Sequence, residues 1–159
     1  MGVELVGQAC EVLNEKPLVI KNVKDYFHIH SYGGLSKFFI SLRESKLLGT
    51  RCTNKACKEK GIWLPPRIYC PDCLQQMEWV EAPQVGEIYT HTTVEYPGSN
   101  FKLSTPCPLI SVSLPGVCTK MMSYLKEGKP KIGMKVKAWF RTDKPTNTIL
   151  DLAWVPLDK

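Results

Sequence analysis

The sequence predicts a mostly β chain in which a metal-stapled ribbon precedes a small antiparallel barrel. Two observations carry the prediction. Four cysteines stand in two short pairs, Cys52 with Cys57 and Cys70 with Cys73. Beyond residue 86, five short stretches alternate apolar and polar residues, with no room for crossover helices between them. Twelve prolines and eleven glycines punctuate the chain, which favours short strands and turns over long helices.

The cysteine spacing comes first. Four residues lie within the first pair, two within the second, and twelve between the pairs. Each such turn aims two sulfurs at one point, and the loop lets the pairs face each other. Four thiolates at Zn–S distances of about 2.3 Å close a tetrahedral site with no open position. The pattern therefore predicts a structural, rubredoxin-like zinc ribbon in which Cys52, Cys57, Cys70 and Cys73 hold one Zn2+. Iron is the rival metal, but its usual knuckles are tighter than Cys52–Cys57. The run Cys70-Pro71-Asp72-Cys73 alone would suit a redox pair, and the partner pair argues against that. The total of seven cysteines is odd, and MGVELVGQACEVLNEK lacks the basic and apolar regions of a secretory signal. A reducing cytoplasm and metal binding are expected over disulfides. Val6 is not the Ser or Thr that a myristoylation site starting at Gly2 requires. No apolar run reaches the ~18 residues of a membrane span.

At 159 residues, 43% hydrophobic and 23% charged, the chain suits one compact domain or a small stapled module plus one domain, not bulk disorder. The net charge of +6 lies mostly in residues 84–159, which hold ten Lys/Arg against six Asp/Glu. Such an excess points to an acidic partner surface or a phosphorylated ligand.

Three units are expected: an N-terminal arm with an amphipathic helix (1–47), the ribbon (48–83) and the barrel (84–159). In the arm, residues 16–23 (KPLVIKNV) suit a strand or an extended segment. Residues 25–34 (DYFHIHSYGG) alternate aromatics and histidines. His28 and His30 lack a third ligand nearby and read as surface or packing residues. Cys10 reads as a free or buried thiol. Residues 33–48 predict a helix, with Leu35, Phe38, Phe39, Leu42 and Leu47 at roughly helical spacing and Gly49 as its stop. The ribbon alone is small, so part of this stripe is expected to face a partner. Within the ribbon, Pro65-Pro66 forbids a helix, Met77–Val80 reads as a returning strand, and Trp63 and Trp79 are expected around the metal. Residues 82–86 read as the linker.

In the barrel, residues 87–96 predict a strand with Ile88, Thr90, Thr92, Val94 and Tyr96 on one face. Tyr89, His91, Thr93 and Glu95 take the other. Residues 109–114 and 117–125 predict a hairpin about Pro115-Gly116. Residues 126–133 form a basic turn. Residues 134–141 place Met134, Val136, Ala138 and Phe140 inward and Lys135, Lys137, Trp139 and Arg141 outward. Residues 148–155 close the set, with Leu150, Leu152 and Trp154 on one face. A five-stranded antiparallel OB-fold barrel is the common solution of this size, and closure removes open edges.

Together these landmarks resemble the DUF35 family of zinc-ribbon/OB-fold proteins. The resemblance rests on Phe38-Phe39, Pro65-Pro66-Arg67, Cys70-Pro71-Asp72-Cys73, Gly86-Glu87-Ile88-Tyr89-Thr90 and Ile132-Gly133-Met134-Lys135-Val136, over about residues 35–155. The first knuckle departs from it, with four intervening residues where two are usual, and the N-terminal 32 residues lie outside it. The resemblance implies a non-catalytic subunit that docks on a thiolase-like catalytic subunit in a hetero-oligomer and helps shape its CoA or acyl-CoA site.

The residues agree with that implication in part. Neither Cys107, between two prolines, nor Cys118 has an evident His partner to activate it. His91 is the only histidine of the barrel segment and reads as a surface residue. Lys126, Lys129, Lys131, Lys135, Lys137 and Arg141 could meet CoA phosphates, or form a solvated face. The alternative function is single-stranded nucleic-acid binding, with Trp139 between Lys137 and Arg141 as a stacking platform. The mostly neutral or acidic outward positions and the modest net charge argue against it. A protein scaffold without a ligand is the third reading.

Overall fold

The computed structural model describes residues 2–23 and 27–157. Asp25 and Tyr26 of the 25–34 stretch fall outside the described residues. Among the described residues the chain is mostly β, with three sheets and one α-helix.

The first sheet is a meander of β1 (Glu11–Glu15), β2 (Leu18–Val23) and β3 (Phe27–Ser31). The arm is thus a β unit before it is a helical one. Leu18 and Ile20 on β2 are fully buried. The Ser36 hydroxyl accepts from the Leu18 N–H at 2.9 Å and donates to the Gly33 carbonyl, tying the meander to the helix.

The helix is shorter than its sequence pattern predicts. A 3-10 turn over Gly33–Leu35 leads into α1, Ser36–Arg43. It stops before Gly49 because Ser45 takes φ 57° and Leu48 already begins β4 (Leu48–Arg51). Gly49 lies inside that strand, where a Cβ would sit 2.4 Å from the Ile62 side chain and 2.8 Å from the Trp63 carbonyl. Most of the helical stripe faces inward, while Leu35 and Phe39 are only half-buried. Phe38, Leu42 and Leu47 join one core with Ile88, Ile110, Val112, Leu152 and Trp154 of the barrel.

β4 is the centre of the ribbon sheet, flanked by β5 (Ile62–Trp63) and β6 (Glu78–Glu81). The ribbon is hydrogen-bonded to the barrel as well as packed on it. Ile62 N–H donates to the Gly116 carbonyl at 2.8 Å, and Cys118 N–H donates back to Ile62 at 2.9 Å. Thr119 Oγ1 accepts from Leu64 N–H and donates to the Leu64 carbonyl.

The third sheet is the closed barrel, in the order β10-β11-β9-β8-β7. Its strands are β7 (Val85–Val94), β8 (Cys107–Ser113), β9 (Lys120–Leu125), β10 (Lys135–Phe140) and β11 (Leu152–Pro156). All pairs are antiparallel except the β11–β9 closure, which is parallel. Loop 114–119 of the β8–β9 hairpin contains the Pro115-Gly116 turn, with Gly116 at φ 70°. On β10 the inward set Met134, Val136, Ala138 and Phe140 is as expected. Leu150 is not in line with Leu152 and Trp154. A 3-10 turn, Ile149–Asp151, breaks the alternation and turns Leu150 to a second cluster.

β7 departs most from simple alternation. A bulge between Ile88 and Thr90 puts one extra residue into the strand. Beyond it the faces exchange, so His91 stands opposite the buried Ile110.

Outside the barrel wall, Val3, Leu103, Cys107, Tyr124 and Ala153 form the second cluster. The N-terminal segment is laid over it by main-chain bonds, Val3 to Lys126 at 2.6 Å and Val6 to Lys102 at 2.7 Å.

Candidate metal centre and ligand cleft

The four predicted cysteines converge. Their sulfurs all lie within 4.8 Å of one another. Cys52 and Cys73 Sγ are 3.5 Å apart, and Cys57 and Cys70 Sγ 3.6 Å. Neither separation is a disulfide. A tetrahedron with Zn–S bonds of about 2.3 Å has edges of about 3.8 Å, so the spacing suits a four-sulfur metal site. Among the described residues this is the one group of three or more His, Cys, Asp or Glu side chains so placed.

Local chain geometry explains the convergence. In the second knuckle, Cys70 N–H donates to Gln75, and Leu74 N–H donates to Cys70 with Leu74 at φ 59°. In the first, Cys57 N–H donates to the Asn54 carbonyl, and Asn54 Oδ1 accepts from Ala56 N–H. Lys60 Nζ closes that loop on the carbonyls of Asn54 and Lys55. The two additional residues of the first knuckle are therefore taken up by an Asn-centred turn.

The thiols differ sharply in acidity. The Gln75 backbone N–H, with the Asn54 side chain, pulls Cys73 down to about 6. Burial pushes Cys57 up to about 12, and Cys52 upward as well. Four sulfurs this close repel one another as thiolates, and a central cation relieves that repulsion. Met77 and Trp63 pack against the cluster, and Arg67 lies over the Trp63 ring at 5.1 Å. Trp79 is elsewhere. It packs on the main core, with Lys37 over its ring at 5.5 Å, because β6 turns it toward the helix.

A second feature is a cleft of about 610 Å³ at one end of the barrel. His91, Thr93 and Glu95 form one wall, and residues 126–130 form the other. The β7 bulge is what brings the first three there. Two of the basic residues singled out from sequence, Lys126 and Lys129, line this cleft. The others are dispersed. Lys131 and Lys137 are exposed outside its lining, and Lys135 is paired with Glu87. Arg141 and Lys126 both lie over the Trp139 ring, at 5.5 Å and 4.8 Å.

The remaining candidates have structural surroundings. The His28 and His30 rings lie 4.7 Å apart on β3 at a tilt of 45°, and His30 meets Tyr32 edge-on. Cys10 Sγ donates to the Thr146 carbonyl at 2.8 Å, and Cys107 is fully buried. Burial raises both thiols to about 11. Cys118 is exposed, yet its thiol is also raised, by partial burial and by Glu59.

Sequence reasoning missed one buried site. Asp151 is fully buried and accepts from Thr146 N–H at 2.7 Å, Thr146 Oγ1 at 2.8 Å and Asn147 N–H at 2.7 Å. Asn147 in turn accepts from Arg43 of the helix. The run Thr146-Asn147-Thr148 shortly before an Asp is a local side-chain-to-backbone turn signal that could have marked it. Among the described residues no helix is long and apolar enough to cross a membrane.

Residues 79–141, from β6 through β10, match the model of the ChsH2 C-terminal OB-fold domain. A chain of the solved structure described as "Ltp2-ChsH2(DUF35) aldolase" is 25% identical, with a TM-score of 0.60. The match covers 76% of this chain and 92% of that one. A protein of unknown function from the DUF35 family of Sulfolobus solfataricus shares the fold at 23% identity and a TM-score of 0.56. That match covers 78% of this chain and 86% of the other. The barrel match and the wider likeness in fold make this chain similar to the DUF35 OB-fold proteins.

Proposed function

We propose that this chain is a non-catalytic accessory subunit of a thiolase-like acyl-CoA acyltransferase complex. It docks on the catalytic subunit and helps form the CoA site. The observation that carries this reading is the 25% identity to a chain of the Ltp2-ChsH2(DUF35) aldolase, over 76% of this chain and 92% of that one. The thiols outside the ribbon support it, since a thiolase-type nucleophile must be a thiolate near neutral pH. Cys10 and Cys107 are raised to about 11 and Cys118 is raised too.

Cys52, Cys57, Cys70 and Cys73 would hold one Zn2+, whose role is to staple the two knuckles. The closed donor set leaves it no open position for substrate. The arm (1–47), ribbon (48–83) and barrel (84–159) then act as one cytoplasmic docking body, because Leu47, Ile62, Leu64 and Trp154 share a core. Lys126 and Lys129 are assigned to the CoA phosphates, with Lys131, Lys135, Lys137 and Arg141 as the wider basic field. The nucleic-acid reading is disfavoured. Trp139 packs on the second cluster and already carries Lys126 and Arg141 over its ring, which leaves little face for a base.

The test is an affinity pull-down from the native host, with identification of the co-purified proteins. Recovery of a thiolase-like subunit supports the proposal, and nuclease-sensitive partners in its place would sink it. Lys126→Glu with Lys129→Glu should weaken CoA binding to the assembled complex. Unchanged binding reduces the pair to a solvated surface.

A further inference from the structure

β7 runs from Val85 to Val94, yet only its first part is paired on both sides. β10 covers Val85, Gly86 and Glu87, and the ladder ends at Ile88, whose N–H donates to the Met134 carbonyl and whose carbonyl accepts from Gly133 N–H. Beyond Ile88, among the described residues, β8 is the only strand beside β7. Thr90, His91, Thr92 and Thr93 are exposed. Edges of this kind are usually guarded by Lys, Pro or a covering element. This one reads Thr-His-Thr-Thr-Val, with neither Lys nor Pro and with mostly β-branched residues.

The direction of its free groups follows from the pairing. Pro108 stands opposite Thr93 and has no N–H to give. The bonded pairs of this ladder are therefore Thr92 with Leu109 and Val94 with Cys107. By alternation, the N–H and C=O of His91 and Thr93 point away from β8, to the open side. The side chains of the same two residues line the 610 Å³ cleft. Its far wall belongs to residues 126–130, which carry Lys126 and Lys129 against Glu127, and the exposed Lys131 follows just outside the lining. Glu95 sits at the end of the edge.

We propose that the open edge Thr90–Val94 receives an extended acidic segment of a partner polypeptide. The segment adds a strand through the backbone of His91 and Thr93 and lays its acidic side chains along Lys126 and Lys129. A second copy of this chain fits less well. Pairing through the same edge would bring an identical lysine-bearing loop into the groove, like charge against like. The proposal goes beyond the accessory-subunit reading, since it requires neither a thiolase nor CoA; it gives Lys126 and Lys129 peptide carboxylates where that reading gives them CoA phosphates, so the two ligands exclude each other at this cleft.

The test titrates the full-length metal-loaded protein with a blocked octapeptide of alternating Val and Glu, read by backbone amide NMR. Saturable binding is expected, with the largest changes at His91 and Thr93. Methylating every second peptide nitrogen, in either register, should give one peptide that binds at least about tenfold more weakly, as expected from losing backbone hydrogen bonds. A Val/Lys peptide should bind more weakly than the Val/Glu one. Thr93→Pro removes an outward N–H without touching the β8 ladder and should cause a similar loss. If that variant does not fold, the methylated peptides decide. No saturable binding at millimolar peptide overturns the proposal, as does equal binding of both methylated peptides or of the Val/Lys peptide. Displacement of the peptide by a single-stranded oligonucleotide at lower concentration would also overturn it and would point to nucleic acid. The assay contains no thiolase and no CoA, so its failure and that of the accessory-subunit reading are distinguishable.

Discussion

The ribbon gathers around four cysteine sulfurs with only Met77 and Trp63 packed beside them, whereas the barrel is filled by Ile88, Ile110, Val112, Met121, Leu125, Val136, Leu152 and Trp154. A three-stranded sheet of two to four residues per strand buries too little apolar surface to order itself. The barrel has no such deficit. Yet Leu47, Ile62 and Leu64 from the ribbon side stand in the barrel's core, and Ile62 and Leu64 bond to its β8–β9 loop. The comparison teaches that a small unit with little apolar core of its own, gathered around a four-cysteine cluster that could hold a metal, also serves as a lid on the large one.

The sharpest way to break the comparison is to remove the metal site. Structural zinc contributes about 10–16 kcal/mol in zinc-finger peptides, as much as the whole stability of an ordinary domain. Cys70→Ser should abolish metal binding and make residues 52–73 the first site of proteolysis, while the barrel strands remain. Metal analysis with limited proteolysis checks this. An untouched ribbon in metal-free protein would refute the staple.

The barrel should respond to packing instead. Trp154 is fully buried, and Trp154→Ala should cost about 3–5 kcal/mol. Denaturant unfolding measures it, and metal content of the folded fraction should not change.

Asp151 offers a pH-dependent contrast. Burial raises its carboxyl above the ordinary value, against the bonds from Thr146 and Asn147. The folded state therefore holds the proton more tightly than the unfolded chain. Asp151's contribution is greatest below the unfolded carboxylate value and falls as pH rises through the raised folded value. The difference in unfolding free energy between wild type and Asp151→Ala should follow that fall, and a flat difference would contradict it. At any one pH the substitution leaves buried donors unpaired, at a cost of about 1–3 kcal/mol.

The smallest effect belongs to the barrel surface. Lys135 and Glu87 pair while largely exposed, so Lys135→Ala should change stability by no more than about 1 kcal/mol. A larger change would mean that the β10–β7 seam depends on charge.

Legibility in the sequence followed the range of the interactions. Paired cysteines are local motifs, and their spacing sufficed to name the cluster. The alternation of Met134 to Phe140 is likewise a property of one strand read along itself. The bulge after Ile88 is different. It depends on how β8 registers against β7, so nothing in the Thr-rich run shows that His91, Thr93 and Glu95 change face there. The dispersal of the basic residues has the same origin. Lys126 and Lys129 share a cleft because of where the 126–130 loop folds back, while Lys135 is drawn off to Glu87 by the neighbouring strand.

By itself, then, the sequence determined the four-cysteine cluster, the mostly β class and the order of ribbon before barrel. Each of these depends on spacing or periodicity within a few residues. Only the tertiary structure decided that the helical stripe of Phe38 and Leu42 seals the barrel, that β9 and β11 close it in parallel, and that β7 keeps an open edge beside a lysine-bearing loop. Those outcomes arise where segments far apart in the chain compete for the same apolar surface and the same backbone partners, and no local pattern records which of them wins.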